Sequence, residues 1–215
     1  MSKKTKIITV IVVAILALAT IVFVYRDSLF RSVSVQLPAA DSQVDKTSSM
    51  YRQYAEMTGE IYDRSFIANM IAHHQGAVDM AKLAQRNAKH QELKDMANDI
   101  ILAQEKEISE MMAWQKEWGY PSTSGDTMMD HGAMGMMDEM EGMAAELRGK
   151  TGDDFDKVFI EQMIMHHQSA IDMAAPGTVN ANHQEVKNLT RAIVAAQSKE
   201  IVQMMQWQKD WGYNQ

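Results

Sequence analysis

The sequence predicts an all-α protein: a four-helix bundle made of two duplicated helical hairpins, preceded by an N-terminal transmembrane helix. Three observations carry this. Met70-Ile71-Ala72-His73-His74-Gln75-Gly76-Ala77-Val78-Asp79-Met80-Ala81 returns as Met163-Ile164-Met165-His166-His167-Gln168-Ser169-Ala170-Ile171-Asp172-Met173-Ala174, at an offset of 93 residues. The offset holds without a gap from Asp63–Tyr120 to Asp156–Tyr213, and 32 of those 58 positions are identical. Within each copy the apolar residues follow helical spacing, and no stretch of the soluble part alternates like a strand. A unit of 58 residues is marginal for folding alone, so the copies are expected to pack into one domain.

In chain order, residues 1–31 read as a cytoplasmic stub and anchor. Ile7 to Tyr25 is a run of 19 residues without a charge, about 28 Å long as a helix and close to the roughly 30 Å hydrocarbon core of a bilayer. Lys3, Lys4 and Lys6 precede it, which puts the N-terminus in the cytoplasm and the rest outside. The run is too long for a signal-peptide core, and the small-residue site at Pro38-Ala39-Ala40 is distant and poor, so an uncleaved anchor is expected. Residues 32–49 are polar, lack helical periodicity and read as a tether.

Residues 50–120 form the first hairpin. Met50–Met57 reads as a short lead-in helix, with a weak counterpart at Met143–Arg148. The first repeat helix is expected from Asp63, as its N-terminal cap, to about Arg86; Asp156 recurs at the same place. On a helical wheel Phe66, Ile67, Met70, His73, His74, Ala77, Val78 and Ala81 fall within about 80° of Met70, so both histidines lie on the apolar face. The second helix runs from about His90 to Trp118 with the stripe Leu93, Met96, Ala97, Ile100, Ala103, Met111, Trp114 and Trp118. Gln104 and Glu107 fall inside that stripe, as do Gln197 and Glu200 in the second copy. Gly119 and Gly212 end the two second helices. Trp114-Gln115-Lys116 and Trp118-Gly119-Tyr120 recur as Trp207–Lys209 and Trp211–Tyr213 and read as an aromatic plug closing one bundle end. His90 and His183 read as loop or cap residues rather than ligands.

Residues 121–142 form a methionine-rich linker, a loop at least at its start because of Pro121, Ser122, Ser124, Gly125, Gly132 and Gly135. Residues 143–215 complete the second hairpin, in which Pro176-Gly177 breaks the chain between the helices.

Composition narrows the chemistry. The chain has 20 methionines among 215 residues and no cysteine, which excludes disulfides, zinc fingers and iron–sulfur centres. Residues 1–31 carry +4, which leaves −11 on the remainder of a chain whose total is −7. That acidic remainder argues against nucleic acid as a partner and suits cations.

His73, His74, His166 and His167 converge from two symmetry-related helices. Four buried imidazoles need partners, which a metal or a network with Glu107 and Glu200 supplies; Glu107, Glu200, Gln104 and Gln197 suit second-shell support. Di-iron bundles carry Glu-x-x-His pairs, whereas this chain has Met70-x-x-His73 and Met163-x-x-His166. A thioether in place of a carboxylate selects Cu(I), or Ag(I) as its surrogate, over iron or manganese. Met70 and Met163 read equally as ligands or as core filler, and Met96, Met111 and Met204 as filler. In the linker, Met128, Met129, His131, Met134, Met136, Met137, Met140 and Met143 form a possible second soft-metal site; Met137, Met140 and Met143 could share one helical face. The alternative there is a lid packing its methionines onto the bundle.

The Met-x-x-His-His-Gln-x-Ala-x-x-Met-Ala pattern resembles the domain-of-unknown-function 305 family, including its copper-binding periplasmic members of the CopM type. The resemblance covers about Ser48 to Gln215, in two copies. It implies a ferritin-like four-helix fold, an extracytoplasmic location and, for some members, a part in copper resistance. It also implies metal on Met70, His73, His74 and Met80, and on Met163, His166, His167 and Met173. Met80 lies at the edge of the inner face, which suits a peripheral site.

Three functions follow. The first is a membrane-anchored extracytoplasmic protein that sequesters or transfers Cu(I)/Cu(II), with a protein partner for transfer possible and no catalytic step required. The second is a dinuclear iron or manganese enzyme in the bundle core. The third is a metal-free structural bundle.

Overall fold

In a computed structural model, residues 43–121 and 131–213 are described, without the side chains of 131–135 and 137. These residues form a helical bundle: α1 (Ser49–Ala55), α2 (Gly59–Asn87), α3 (Gln91–Trp118), α4 (His131–Leu147), α5 (Gly152–Ala174), α6 (Gly177–Asn180) and α7 (Gln184–Asp210). Among the described residues no helix is long and apolar enough to cross a membrane. The expected anchor at 7–25 and most of the tether lie outside the described residues.

Helices α2 and α3 pack as one hairpin and α5 and α7 as the other, while α4 lies on α2 and α1 on α5. Each lead-in helix therefore covers the first long helix of the opposite copy. At the C-terminus of α3, Gly119 takes a left-handed φ of 69°, and Tyr120 N–H reaches back to Gln115 O at 2.8 Å. Gly212 (φ 73°) and Tyr213 repeat this on α7. A side chain at either glycine would resist that backbone, which is why both helices stop there.

The expected cap at Asp63 is corrected. Helix α2 begins four residues earlier, with Thr58 as its N-cap, and Asp63 is fully buried. Its carboxylate instead accepts from the opposite copy: Asn182 N–H at 3.0 Å, His183 N–H at 2.9 Å and His183 Nδ1–H at 2.7 Å. Asp156 does the same for Lys89 N–H (2.9 Å), His90 N–H (3.0 Å) and His90 Nδ1–H (2.7 Å). His183 and His90 are the N-caps of α7 and α3, so each copy satisfies the free N–H groups that open the other copy's second helix. The caps are stiffened by stacking: His183 lies on Trp118 at 3.7 Å and 5°, and His90 on Trp211 at 3.8 Å and 4°. The single aromatic plug expected from the sequence is thus two plugs, each joining the C-terminus of one second helix to the N-terminus of the other.

The break expected at Pro176-Gly177 is present: α5 ends at Ala174, whereas its counterpart α2 runs on to Asn87. Tyr62 Oη donates to Met173 O at 2.9 Å beside that break, and a Cβ at Gly177 would collide with it. The methionine-rich linker is helical from His131 onward, so the expected boundary at 142/143 falls inside α4. Its buried row is Met136, Met140, Ala144 and Leu147, spaced for a helix. On α3, Ala103 is exposed, and Ile101 and Gln115 take inner positions instead.

The core forms two apolar clusters. One gathers the N-terminal half of α2, the C-terminal part of α5 and most of α7; the other gathers the C-terminal half of α2 and the N-terminal halves of α3 and α5. Along α2, α3 and α5 the change from one cluster to the other falls at buried polar residues: His73 and His74, Gln104, and His166 and His167.

Replacing Asp63 or Asp156 with alanine leaves three donors without their acceptor and is expected to cost about 3 kcal/mol. Urea unfolding measures it; a loss below about 1 kcal/mol would show that the clamps do not hold the copies together.

Candidate metal centre

The histidine pairs sit where α2 and α5 cross antiparallel. The His73 and His166 rings meet with centroids 3.7 Å apart and planes tilted by 39°, and His74 and His167 flank them at 6.3 and 5.9 Å from their chain neighbours. All four have no exposed surface.

The hydrogen bonds fix each ring's tautomer. His74 Nε2–H donates to Glu107 Oε2 at 2.7 Å, and His167 Nε2–H to Glu200 Oε2 at 2.6 Å. His166 Nε2–H donates to the His73 carbonyl at 2.9 Å. Ser169 Oγ donates its own proton to His166 O at 2.9 Å, so it accepts from His73 Nε2–H at 2.7 Å. Every Nε2 is therefore a donor, and every Nδ1 carries a lone pair. All four Nδ1 atoms are buried without a partner, as are Gln104 Oε1 and Gln197 Oε1. The layer holds a surplus of buried acceptors, the arrangement a cation satisfies. Burial, reinforced by the neighbouring imidazoles, holds His73 and His166 well below the usual histidine range, so both rings stay neutral.

Sulfur flanks this layer on both sides. Met70, Met163, Met80 and Met173 are all fully buried. Met80, expected at an edge, is covered because α4 crosses there: a Cβ on Gly76 would stand 2.7 Å from Met140 Cβ, and Met80 shares its cluster with Ala144 and Leu147. Met173 lies in the cluster with Tyr54 of α1. Met70, Met111 and Met173 belong to one apolar cluster, and their counterparts Met163, Met204 and Met80 to the other. Met136 and Met140 join the first cluster, and Met143 is half-buried against both. Met96 is half-buried as well. Met128 and Met129, and the side chains of His131, Met134 and Met137, lie outside the described residues.

Among the described residues, no three His, Asp or Glu side chains are grouped so as to hold a metal ion. Imidazole Nδ1 and thioether sulfur are donor types that suit a soft monovalent cation better than a hard one. Gln104 and Gln197 are buried beside the layer, while the Glu107 and Glu200 side chains are 21% and 27% exposed. Sequence reasoning missed Ser169, whose hydroxyl sets the His73 tautomer. The signal was available, since Gly76 and Ser169 are one of the few departures between the copies inside the motif.

Residues 63–208 match the sequence profile of the domain of unknown function DUF305, in one span across both repeats. CopM in its Cu(I)-bound form is 39% identical, covers 69% of this chain and 96% of its own, and superposes with a TM-score of 0.55. CopM is also known in Cu(II)-bound and Ag-bound forms. A DUF305 protein from Streptomyces coelicolor is 26% identical over 70% of this chain and 94% of its own, with a TM-score of 0.59. The uncharacterised protein L153 of Acanthamoeba polyphaga mimivirus is 39% identical over 51 residues, and this chain spans about a third (34%) of its length.

The neutral core imidazoles tie stability to pH. Unfolded, His73 and His166 take up protons below about 6.5; folded, they do not. Stability of the metal-free protein is therefore complete above pH 6.5 and falls as pH drops below it, by about 1.4 kcal/mol per unit for each ring. Urea unfolding between pH 7.5 and 5 reads this. A His73→Gln, His166→Gln variant should lose the dependence, and a wild-type profile equally flat would contradict it.

Proposed function

The chain belongs to the DUF305 family, and on that premise we propose that it is a copper-binding protein that takes Cu(I) into its bundle core and sequesters or hands on the ion. The observation that carries this is the set of four buried imidazoles whose Nε2–H groups are held by the protein and whose Nδ1 atoms have no partner. An imidazole pinned through one nitrogen presents the other in a fixed direction, the usual preparation of a histidine ligand.

The ligands of this reading are His73, His74, His166 and His167 with Met70, Met80, Met163 and Met173, in a ferritin-like four-helix bundle. Soft, neutral sulfur beside imidazole discriminates against iron and manganese, and the bundle's acidic charge draws cations. CopM, at 39% identity, is a protein that binds Cu(I), Cu(II) and Ag. Met136 and Met140, packed among the core methionines, act with the core rather than as a free arm. The uncharged run at 7–25 after three lysines supports a single-pass anchor with the bundle outside the cytoplasm, where a copper-accepting protein could meet it. A dinuclear enzyme of iron or manganese would need carboxylates converging on two hard ions, and here Glu107 and Glu200 are each engaged with an imidazole.

The test is Cu(I) affinity of the full-length chain by competition with a chromophoric chelator. Exchanging Met70, Met80, Met163 and Met173 for leucine conserves volume and should leave the fold intact while weakening Cu(I) by at least about tenfold. Changing His73, His74, His166 and His167 to alanine should abolish core binding. Undiminished binding in both variants would overturn the reading, and bound iron or manganese would promote the dinuclear alternative.

A further inference from the structure

The buried layer is held at three points by partly exposed side chains, Ser169, Glu107 and Glu200, and two of these are carboxylates. His74 and His167 have no exposed surface, yet each donates to a carboxylate whose side chain is partly in solvent: Glu107 at 2.7 Å and 21% exposed, Glu200 at 2.6 Å and 27% exposed. Each glutamate side chain is partly exposed and also touches an imidazole whose Nδ1 has no partner.

Holding the imidazole does not by itself require a charge. In the same layer a backbone carbonyl accepts from His166 and a serine hydroxyl from His73. The two histidines held by neutral acceptors are those whose rings meet at the centre; Ser169 is partly exposed like the two glutamates, but only the glutamates present a charge that attracts a cation. The copies also differ around these positions: Glu105 and Glu110 flank Glu107, whereas Ser198 and Gln203 stand at the corresponding places around Glu200. Of Glu105, Glu107 and Glu110, only Glu107, the one in contact with histidine, has an acidic counterpart in the second copy.

Building on the copper reading, we infer that Glu107 and Glu200 are the two mouths through which a soft cation reaches the core, each carboxylate drawing the ion from water and passing it to the imidazole it holds. The carboxylate oxygen replaces a water on the arriving cation. In doing so it gives up the Nε2–H hydrogen bond, the imidazole is freed to turn, and the Nδ1 lone pair takes the ion as the remaining waters leave. No proton or electron is transferred. The acid acts on the rate of loading, whereas the imidazoles and thioethers set the affinity.

The experiment follows Ag(I) uptake, supplied as silver nitrate in chloride-free buffer, by stopped-flow ultraviolet absorbance on the full-length chain. In a Glu107→Gln, Glu200→Gln variant the amide oxygen still accepts the Nε2–H, so thermal unfolding of the metal-free protein should not move. Its association rate should fall about tenfold or more, and the slowing that added sodium nitrate causes in the wild type should shrink. A Glu107→Asp, Glu200→Asp variant keeps the charge with a shorter reach and should load within about threefold of the wild-type rate. Loading of the glutamine variant at the wild-type rate, or equal slowing in the aspartate variant, would overturn the inference. Wild-type protein that takes up no Ag(I) would instead remove the metal-binding reading on which it rests.

Discussion

Four imidazoles enclosed in a helical core must each find an acceptor for an N–H, because an unpaired buried donor costs as much as several good contacts return. The protein meets that demand at one nitrogen only. Glu107, Glu200, Ser169 and the His73 carbonyl each take an Nε2–H, which forces all four lone pairs onto Nδ1. The rest of the arrangement follows from this layer. It divides the apolar core into two clusters, each with buried methionines, and leaves the interior rich in acceptors. The same surplus disfavours the fold below neutral pH and favours a cation above it.

A layer of this kind needs both copies. Neither 58-residue half can enclose four histidines, and the cross-copy clamps explain how two halves become one core. Asp63 and Asp156 sit on one copy's first helix and cap the other copy's second helix, while α1 and α4 each cover the opposite first helix. The histidines contrast instructively. His90 and His183 donate through Nδ1 to a carboxylate and stack on tryptophan, so their rings serve the frame. The core four donate through Nε2, which leaves the other nitrogen for chemistry.

Much of this was legible in the sequence. The duplication located the two hairpins, the wheel put His73 and His74 on the apolar face, and Gly119 and Gly212 marked where α3 and α7 end. What escaped depends on partners far along the chain. Asp63 looked like a local cap because a sequence shows a carboxylate near a helix start without showing which helix it faces. Met80 looked peripheral because the wheel cannot show that α4 covers its edge. The helix from His131 was hidden by Gly132 and Gly135, which read as turn residues although Met, Ala and Glu around them favour a helix. Gly76 made that crossing possible by leaving room for Met140.

The tautomer assignment is the central claim, and nitrogen-15 NMR of the imidazole rings measures it directly. In the metal-free protein His73, His74, His166 and His167 should all carry a proton on Nε2, with His90 and His183 protonated at Nδ1 as an internal contrast. Added Ag(I) should move Nδ1 resonances of the core rings and leave those of His90 and His183 in place. A core ring protonated at Nδ1, or silver shifts confined to residues outside the layer, would contradict the account.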